Sequence, residues 1–274
     1  MEYIKKLEKL RDYVKNLKRV LVAFSGGVDS TFLAKVAYEE LGEDMLAVTI
    51  STPLHPKREI EESKKLAKVL GFPHLVVRYE EVLEIEEFKS NPLNRCYVCK
   101  KNLFSKLKDI AEERGFYYIV EGTNADDVND FRPGRKALKE LGILSPLLDC
   151  GITKEEIRLF SKEMDLTTWN KPSYACLASR IPYGEEITYE KLSMVEKAEE
   201  SLKSLGFDGF RVRYHGDVAR IELRKEDMER VFEEDIRKKI VEGVKEAGFK
   251  YVALDLEGYR TGSLNPKRRG VEDV

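Results

Sequence analysis

The apolar run Val20-Leu21-Val22-Ala23-Phe24 ends directly on Ser25-Gly26-Gly27-Val28-Asp29-Ser30, and a helical spacing of apolar residues begins near Thr31. A short run without polar alternation is buried on both faces, as in a parallel sheet covered by helices. The Gly-Gly pair lets the backbone turn tightly and approach a ligand. The helix behind it presents unpaired N–H groups and the positive end of its dipole to an anion. Similar runs recur at 45–50 (MLAVTI), 74–79 (HLVVRY) and 117–122 (YYIVEG), with helix-like patterns between them. That alternation predicts βαβ units, hence an α/β fold with a parallel sheet and helices on both faces. Ahead of the first run, Ile4, Leu7, Leu10, Val14 and Leu17 form one apolar helix face.

The loop reads as a phosphate holder. Ser25, Ser30 and Thr31 add hydroxyl donors to Gly26 and Gly27. Asp29 would repel a bare phosphate, which implies a magnesium ion between them. No GxxxxGK[ST] and no GxGxxG is present, so neither a Walker A loop nor a dinucleotide fold is indicated. Gly122-Thr123-Asn124-Ala125-Asp126-Asp127 follows the fourth run and should lie at the same carboxyl edge of the sheet, where open α/β sheets bind ligands. Asp126 or Asp127 could hold magnesium or order the loop; Lys154 begins a further helix.

Between Thr167 and Gly184 the periodicity stops, in a stretch containing WNKPSYACLASRIPYG. Beyond it come a helix pattern (189–205), a hairpin of FRVRYH and VARIEL turning at Gly216-Asp217, a charged helix over 226–247 and the strand YVALDL. Arg211, Arg213 and His215 alternate on one strand face, suited to bidentate phosphate binding, with a solvated polar face as the bland alternative. The expected organisation is a phosphate-loop domain over 1–168, an inter-domain segment over 169–185, a smaller α+β domain over 186–265 and a flexible tail over 266–274; the family resemblance set out below implies ATP in the first, the active site in the second and substrate phosphate in the third.

The cysteines are Cys96, Cys99, Cys150 and Cys176. A CxxC pair in an intracellular chain points to metal or redox chemistry more than to a disulfide. Three cysteines fall short of a structural zinc site unless Cys150 or a water joins them, while three thiolates suit a [4Fe–4S] cluster with one open iron. Cys176, four residues before Arg180, would be held as thiolate if the segment were helical, making it nucleophile or ligand; Cys150 reads as a small semi-buried residue. Lys+Arg 48 against Asp+Glu 50, net charge -2, argues against nucleic acid as partner. The charged, amphipathic start reads as neither signal nor membrane segment, so a cytoplasmic location is expected.

SGGVDS at a strand-to-helix turn resembles the PP-loop of the ATP pyrophosphatase superfamily, and GTNADD and GITK resemble its further ATP-site segments. Together with RCYVCK, ACLASRIPYG, RVRYH and LDLEGYRTGSLN, these stretches resemble the LarE family of ATP-dependent sulfur transferases over residues 1 to about 265. The resemblance implies an adenine nucleotide alpha hydrolase-like fold and adenylation of a carboxylate of a pyridinium biscarboxylic acid mononucleotide, with AMP and pyrophosphate as products. Sulfur then enters as thiocarboxylate, in the assembly of a nickel-pincer cofactor with other proteins of that pathway. It further implies ATP at Ser25, Gly26, Gly27, Asp29, Ser30, Thr31, Gly122, Asn124, Asp127 and Lys154, the lysine meeting the leaving pyrophosphate. Catalytic roles would fall to Cys176, Asp29 and Arg180, and substrate phosphate to Arg180, Arg211, Arg213 and His215. One branch of the family sacrifices the cysteine matching Cys176; the other carries sulfide on a three-cysteine cluster, the branch that Cys96 and Cys99 favour. A homo-oligomer, trimer-based or hexameric, is also implied. The competing readings are a PP-loop tRNA thiolase, an amidotransferase-type NAD or GMP synthase, and a nucleotide- or redox-responsive module without turnover.

Overall fold

Val20–Ala23 forms β1, the hub of a parallel sheet with β2 (Met45–Ser51), β3 (His74–Arg78) and β4 (Tyr118–Val120) in the order β3-β2-β1-β4. Val20 faces Met45 on one side and Tyr118 on the other. Val20, Leu21 and Val22 are all wholly buried, because both faces of the sheet are covered. Val20 and Val22 join one core with Leu10, Val14 and Phe32, whereas Leu21 joins another with Val48, Leu107 and Ile119. The computed structural model describes residues 2–128, 133–172, 175–260 and 263–264.

The helices are α1 (Glu2–Leu17), α2 (Val28–Leu41), α3 (Lys57–Leu70), α4 (Glu86–Lys89), α5 (Arg95–Glu113), α6 (Gly134–Glu140), α7 (Pro146–Asp149), α8 (Lys154–Glu163), α9 (Tyr189–Ser204) and α10 (Glu234–Glu246). The rings of Phe32 on α2 and Phe160 on α8 stack at 5.6 Å, which draws the two helix starts to the same edge of the sheet. The strand order reverses direction at β1, between β2 and β4, so the loops after β1 and β4 leave from neighbouring strands at a topological switch point.

The chain divides into two compact units, Met1–Phe88 with Leu93–Tyr174, and Lys89–Pro92 with Ala175–Val274. The second holds β5 (Arg211–His215), β6 (Val218–Glu222) and β7 (Tyr251–Leu254) in the order β5-β6-β7. β5 and β6 are antiparallel across Gly216, whose φ of 63° suits glycine, and β7 runs parallel to β6 after the α10 crossover. Asn91, wholly buried, donates from Nδ2 to the carbonyls of Ile181 (3.3 Å) and Pro182 (2.7 Å), and its own carbonyl accepts from Gly184 N at 3.0 Å. Nothing in the sequence pattern marks Lys89–Pro92 as part of this unit.

Two expectations are corrected. α2 starts at Val28, not near Thr31, so Asp29 and Ser30 belong to its first turn. The charged helix expected over 226–247 opens as two 3₁₀ turns, Lys225–Asp227 and Glu229–Phe232, and extended backbone at Glu233 delays α10 to Glu234. Residues 173–174 of the aperiodic segment and the tail 266–274 lie outside the described residues. Among the described residues no helix is long and apolar enough to cross a membrane.

Candidate nucleotide and phosphate sites

The phosphate loop continues β1 by one residue: Phe24 N donates to Val48 O at 2.9 Å before the chain turns. Gly26 has φ +68, and a Cβ there would stand 3.1 Å from Ser63 Cβ on α3, so both conformation and space require glycine. Gly27 is the extended N-cap of α2 and offers no side chain to the first-turn amides, which have no carbonyl partner within the helix. The hydroxyls knit the loop together. Ser25 Oγ and Ser30 Oγ lie 3.0 Å apart, Ser25 N donates to Ser30 Oγ at 3.2 Å and Gly27 N to Ser25 Oγ at 3.3 Å. Thr31 is wholly buried, and its Oγ1 has no hydrogen-bond partner among the described residues.

The loop after β4 closes on the same helix start. A Cβ on Gly122 would meet Ser30 N and Asp29 Cβ at 3.1 Å, so this backbone lies directly against the first turn of α2. Asn124 Nδ2 donates to Asp29 Oδ1 at 3.4 Å, and Asn124 N to Asp127 Oδ2 at 3.1 Å. Asp126 Oδ2 accepts from Lys154 N at 2.7 Å, capping α8. Asp126 and Asp127 therefore order this loop and the start of α8. Lys154 Nζ lies 2.8 and 2.6 Å from the two Asp29 oxygens. The argument that bare repulsion at Asp29 demands a divalent ion is thereby corrected: a lysine already supplies the opposite charge. Asp29 remains a hard oxygen donor of the kind that shares a magnesium ion with phosphate.

Two contributors escape the sequence reading. Glu121, buried, accepts from Thr123 N, Thr123 Oγ1 and Ser145 Oγ at 3.1, 2.8 and 2.6 Å and shapes the β4 loop. Lys171 places Nζ 3.1 Å from Gly26 O and 2.9 Å from Glu62 Oε2. Its signal was a lysine in an otherwise aperiodic stretch.

Cys96 lies in the first turn of α5 and Cys99 three residues on, on the same helix face, Cys96 exposed and Cys99 partly so. Cys150 is buried and burial pushes its thiol pKa up, in keeping with a packing role. Cys176, partly exposed, belongs to the second unit. None of the four cysteines forms a disulfide, and no group of three His, Cys, Asp or Glu side chains arranged to hold a metal ion occurs among the described residues.

In the second unit the arginines are buried, not solvated: Arg180, Arg211 and Arg213 expose 2%, 7% and 5%. Arg180 donates from Nε and Nη2 to Glu199 at 2.8 and 2.9 Å, and from Nη1 to the carbonyls of Ala175 (2.5 Å) and Cys176 (3.2 Å). Cys176 is extended and precedes a 3₁₀ turn, Leu177–Arg180, so the helical i, i+4 face expected for Cys176 and Arg180 is absent. Arg180 grips the backbone at Cys176 instead. Arg213 donates to Ser179 O (3.0 Å), Glu222 Oε2 (2.7 Å) and Ser263 Oγ (3.0 Å), while its buried Nε has no partner among the described residues. Arg211 lies 5.0 Å from the Tyr259 ring centre; burial, then the charge of Arg180, pushes its pKa down. His215 Nε2 accepts from Arg220 Nε at 3.1 Å, and desolvation together with Arg220 and Arg213 lowers its pKa. Glu199 and Glu222, which neutralise the arginine cluster, look like ordinary surface glutamates in the sequence.

Known proteins place this arrangement. The NAD synthase family model matches residues 2–118. The pyridinium-3,5-bisthiocarboxylic acid mononucleotide synthase of Lactiplantibacillus plantarum is 38% identical over 255 residues, 92% of this chain and 91% of that one. The chain belongs to the LarE family. An uncharacterised Synechocystis protein, slr1717, is 44% identical over 95% of this chain and 97% of its own. The glutamine-hydrolysing GMP synthase of Aeropyrum pernix is 31% identical over 69% of this chain, but only 41% of that enzyme is covered. The likeness to that synthase thus covers only part of each protein, whereas the likeness to the Lactiplantibacillus plantarum enzyme covers nearly all of both.

Proposed function

We propose that the protein is an ATP-dependent sulfur transferase that converts a carboxylate of pyridinium-3,5-biscarboxylic acid mononucleotide into a thiocarboxylate, a step in nickel-pincer nucleotide assembly. The observation that carries the reading is the Asp29–Lys154 pair on a glycine turn between β1 and α2, in a chain matching a synthase of that class almost end to end. ATP lies along Ser25, Gly26, Gly27, Ser30, Thr31, Gly122, Asn124 and Asp127, and Asp29 would hold a magnesium ion that offsets the phosphate charge. A substrate carboxylate oxygen attacks the α-phosphorus, the bond to the β-phosphate oxygen breaks, and pyrophosphate leaves with its charge met by Lys154 and the α2 N-terminus. A sulfur nucleophile then attacks the acyl carbon and AMP departs. Arg180, Arg211 and Arg213 hold the substrate's phosphate, and Arg213 Nε is a buried donor without a partner among the described residues.

Cys176 is the sulfur-handling residue. With Cys96 and Cys99 it would ligate a [4Fe–4S] cluster that supplies a transferable sulfide; Arg180 fixes the Cys176 backbone in either case. The protein works in the cytoplasm as a homo-oligomer, alongside the other proteins of cofactor assembly.

Iron and acid-labile sulfide per chain, measured on anaerobically purified wild type, Cys96→Ala and Cys176→Ala, separate the sulfur sources. About four irons, lost in both variants, support the cluster. Iron-free wild type that sulfurates a single equivalent makes Cys176 the donor. ATP binding without AMP or pyrophosphate formation overturns the enzyme reading, and salt-sensitive tRNA binding with tRNA-dependent turnover replaces the acceptor.

A further inference from the structure

Ser63 on α3 is wholly buried against Gly26, which puts its neighbour Glu62 beside the phosphate loop. Between Glu62 and the Gly26 carbonyl lies the Lys171 ammonium, on a side chain only 17% exposed. The backbone carrying it is anchored: Arg158 on α8 donates to Trp169 O at 2.6 Å and to Lys171 O at 3.0 Å. The loop therefore has one lysine at its entry, Lys171 at Gly26, and one at its exit, Lys154 at Asp29. Each ammonium is held by a carboxylate, and all of these groups belong to the first unit.

A triphosphate brings more negative charge than one lysine and a helix N-terminus, worth roughly half an elementary charge, can offset. We propose that Lys171 is a second polyphosphate-binding ammonium, which exchanges Glu62 for the phosphates beyond the α position when ATP binds. The proposal rests on the nucleotide reading above and names a residue of that site. Glu62 is then a competitor: 43% exposed, it loses little when its lysine leaves.

Calorimetric titration of the full-length protein with magnesium-ATP, pyrophosphate and AMP tests it. Lys171→Met weakens ATP and pyrophosphate about tenfold, the loss of one charge-assisted contact, and leaves AMP within twofold. Lys171→Arg recovers most of the affinity. Glu62→Gln tightens ATP severalfold, and this gain vanishes when Lys171→Met is added. An equal loss for AMP, no loss for ATP, or a Glu62→Gln gain that persists without Lys171 overturns the proposal. Should Lys171→Met unfold, an unchanged or weaker ATP affinity in Glu62→Gln does so as well. Wild type that binds no ATP instead removes the nucleotide reading itself, and this proposal with it.

Discussion

Lys154 Nζ straddles the carboxylate of Asp29, 2.8 Å from one oxygen and 2.6 Å from the other, across 125 residues of chain. The pair joins the first turn of the helix after β1 to the first residue of α8, and so couples the two halves of the nucleotide site. Asp29→Asn leaves that ammonium facing a neutral amide and removes the carboxylate that the proposed mechanism uses. Pyrophosphate release should fall on the order of 100-fold, the usual scale for losing one preorganised charge, with little change in melting temperature. Full release in Asp29→Asn would remove the residue from the mechanism.

Gly122→Ala is expected to act without removing any side chain of the site. The new methyl group meets Ser30 N and Asp29 Cβ at 3.1 Å, both backbone-fixed, and forces the β4 loop away from α2. Weaker ATP binding with the fold retained, read by calorimetry and circular dichroism, is the expected result. Unchanged binding would mean that the two loops do not share a ligand.

Glu199→Ala tests the buried charge cluster. It strands Arg180 at 2% exposure and leaves Val212 N without its acceptor at 3.1 Å. Breaking a buried pair in this way costs about 3–5 kcal/mol. Denaturant titration followed in the second unit should show that loss, whereas a shift under about 1 kcal/mol means the pair is effectively solvated.

His74 supplies a pH signature. Desolvation, then the charge of Lys64, brings its pKa from 6.5 to about 4, and Nε2 lies 2.8 Å from Thr49 Oγ1, whose own proton goes to Phe24 O. The folded state resists protonation that the unfolded chain accepts, so this contribution is complete above pH 6.5 and is lost as pH falls towards 4. Allowing for partial solvation, about 1–2 kcal/mol is at stake. The stability gap between wild type and His74→Gln should narrow by that amount between pH 7 and pH 4.5; a constant gap contradicts it.

The parallel sheet was legible because Val20, Leu21 and Val22 lack polar alternation, which only burial on both faces explains. The phosphate loop was legible because glycine at Gly26 is a backbone requirement. The start of α2 was placed three residues late because Asp29 and Ser30 are loop-like by type, although the first turn of a helix favours such residues too. Lys171, Glu199 and Glu222 were missed for another reason. Each acts through a partner distant in sequence or on another element, and a charged residue carries no local sign that its partner is buried. The arginine face of β5 was seen through its alternation, but its burial depends on those unseen carboxylates.

Lys89–Pro92 has a consequence for how the molecule comes apart. The chain passes from one unit to the other three times, at 88/89, 92/93 and 174/175. A protease cutting at the last crossing would yield two fragments, the larger still owning the Lys89 and Asn91 carbonyls that receive the amides of Ile187 and Gly184 in the smaller. The second unit is therefore built from two stretches separated in sequence. During synthesis its earliest piece emerges long before the rest, and it cannot be shed, exchanged or inherited as a contiguous cassette.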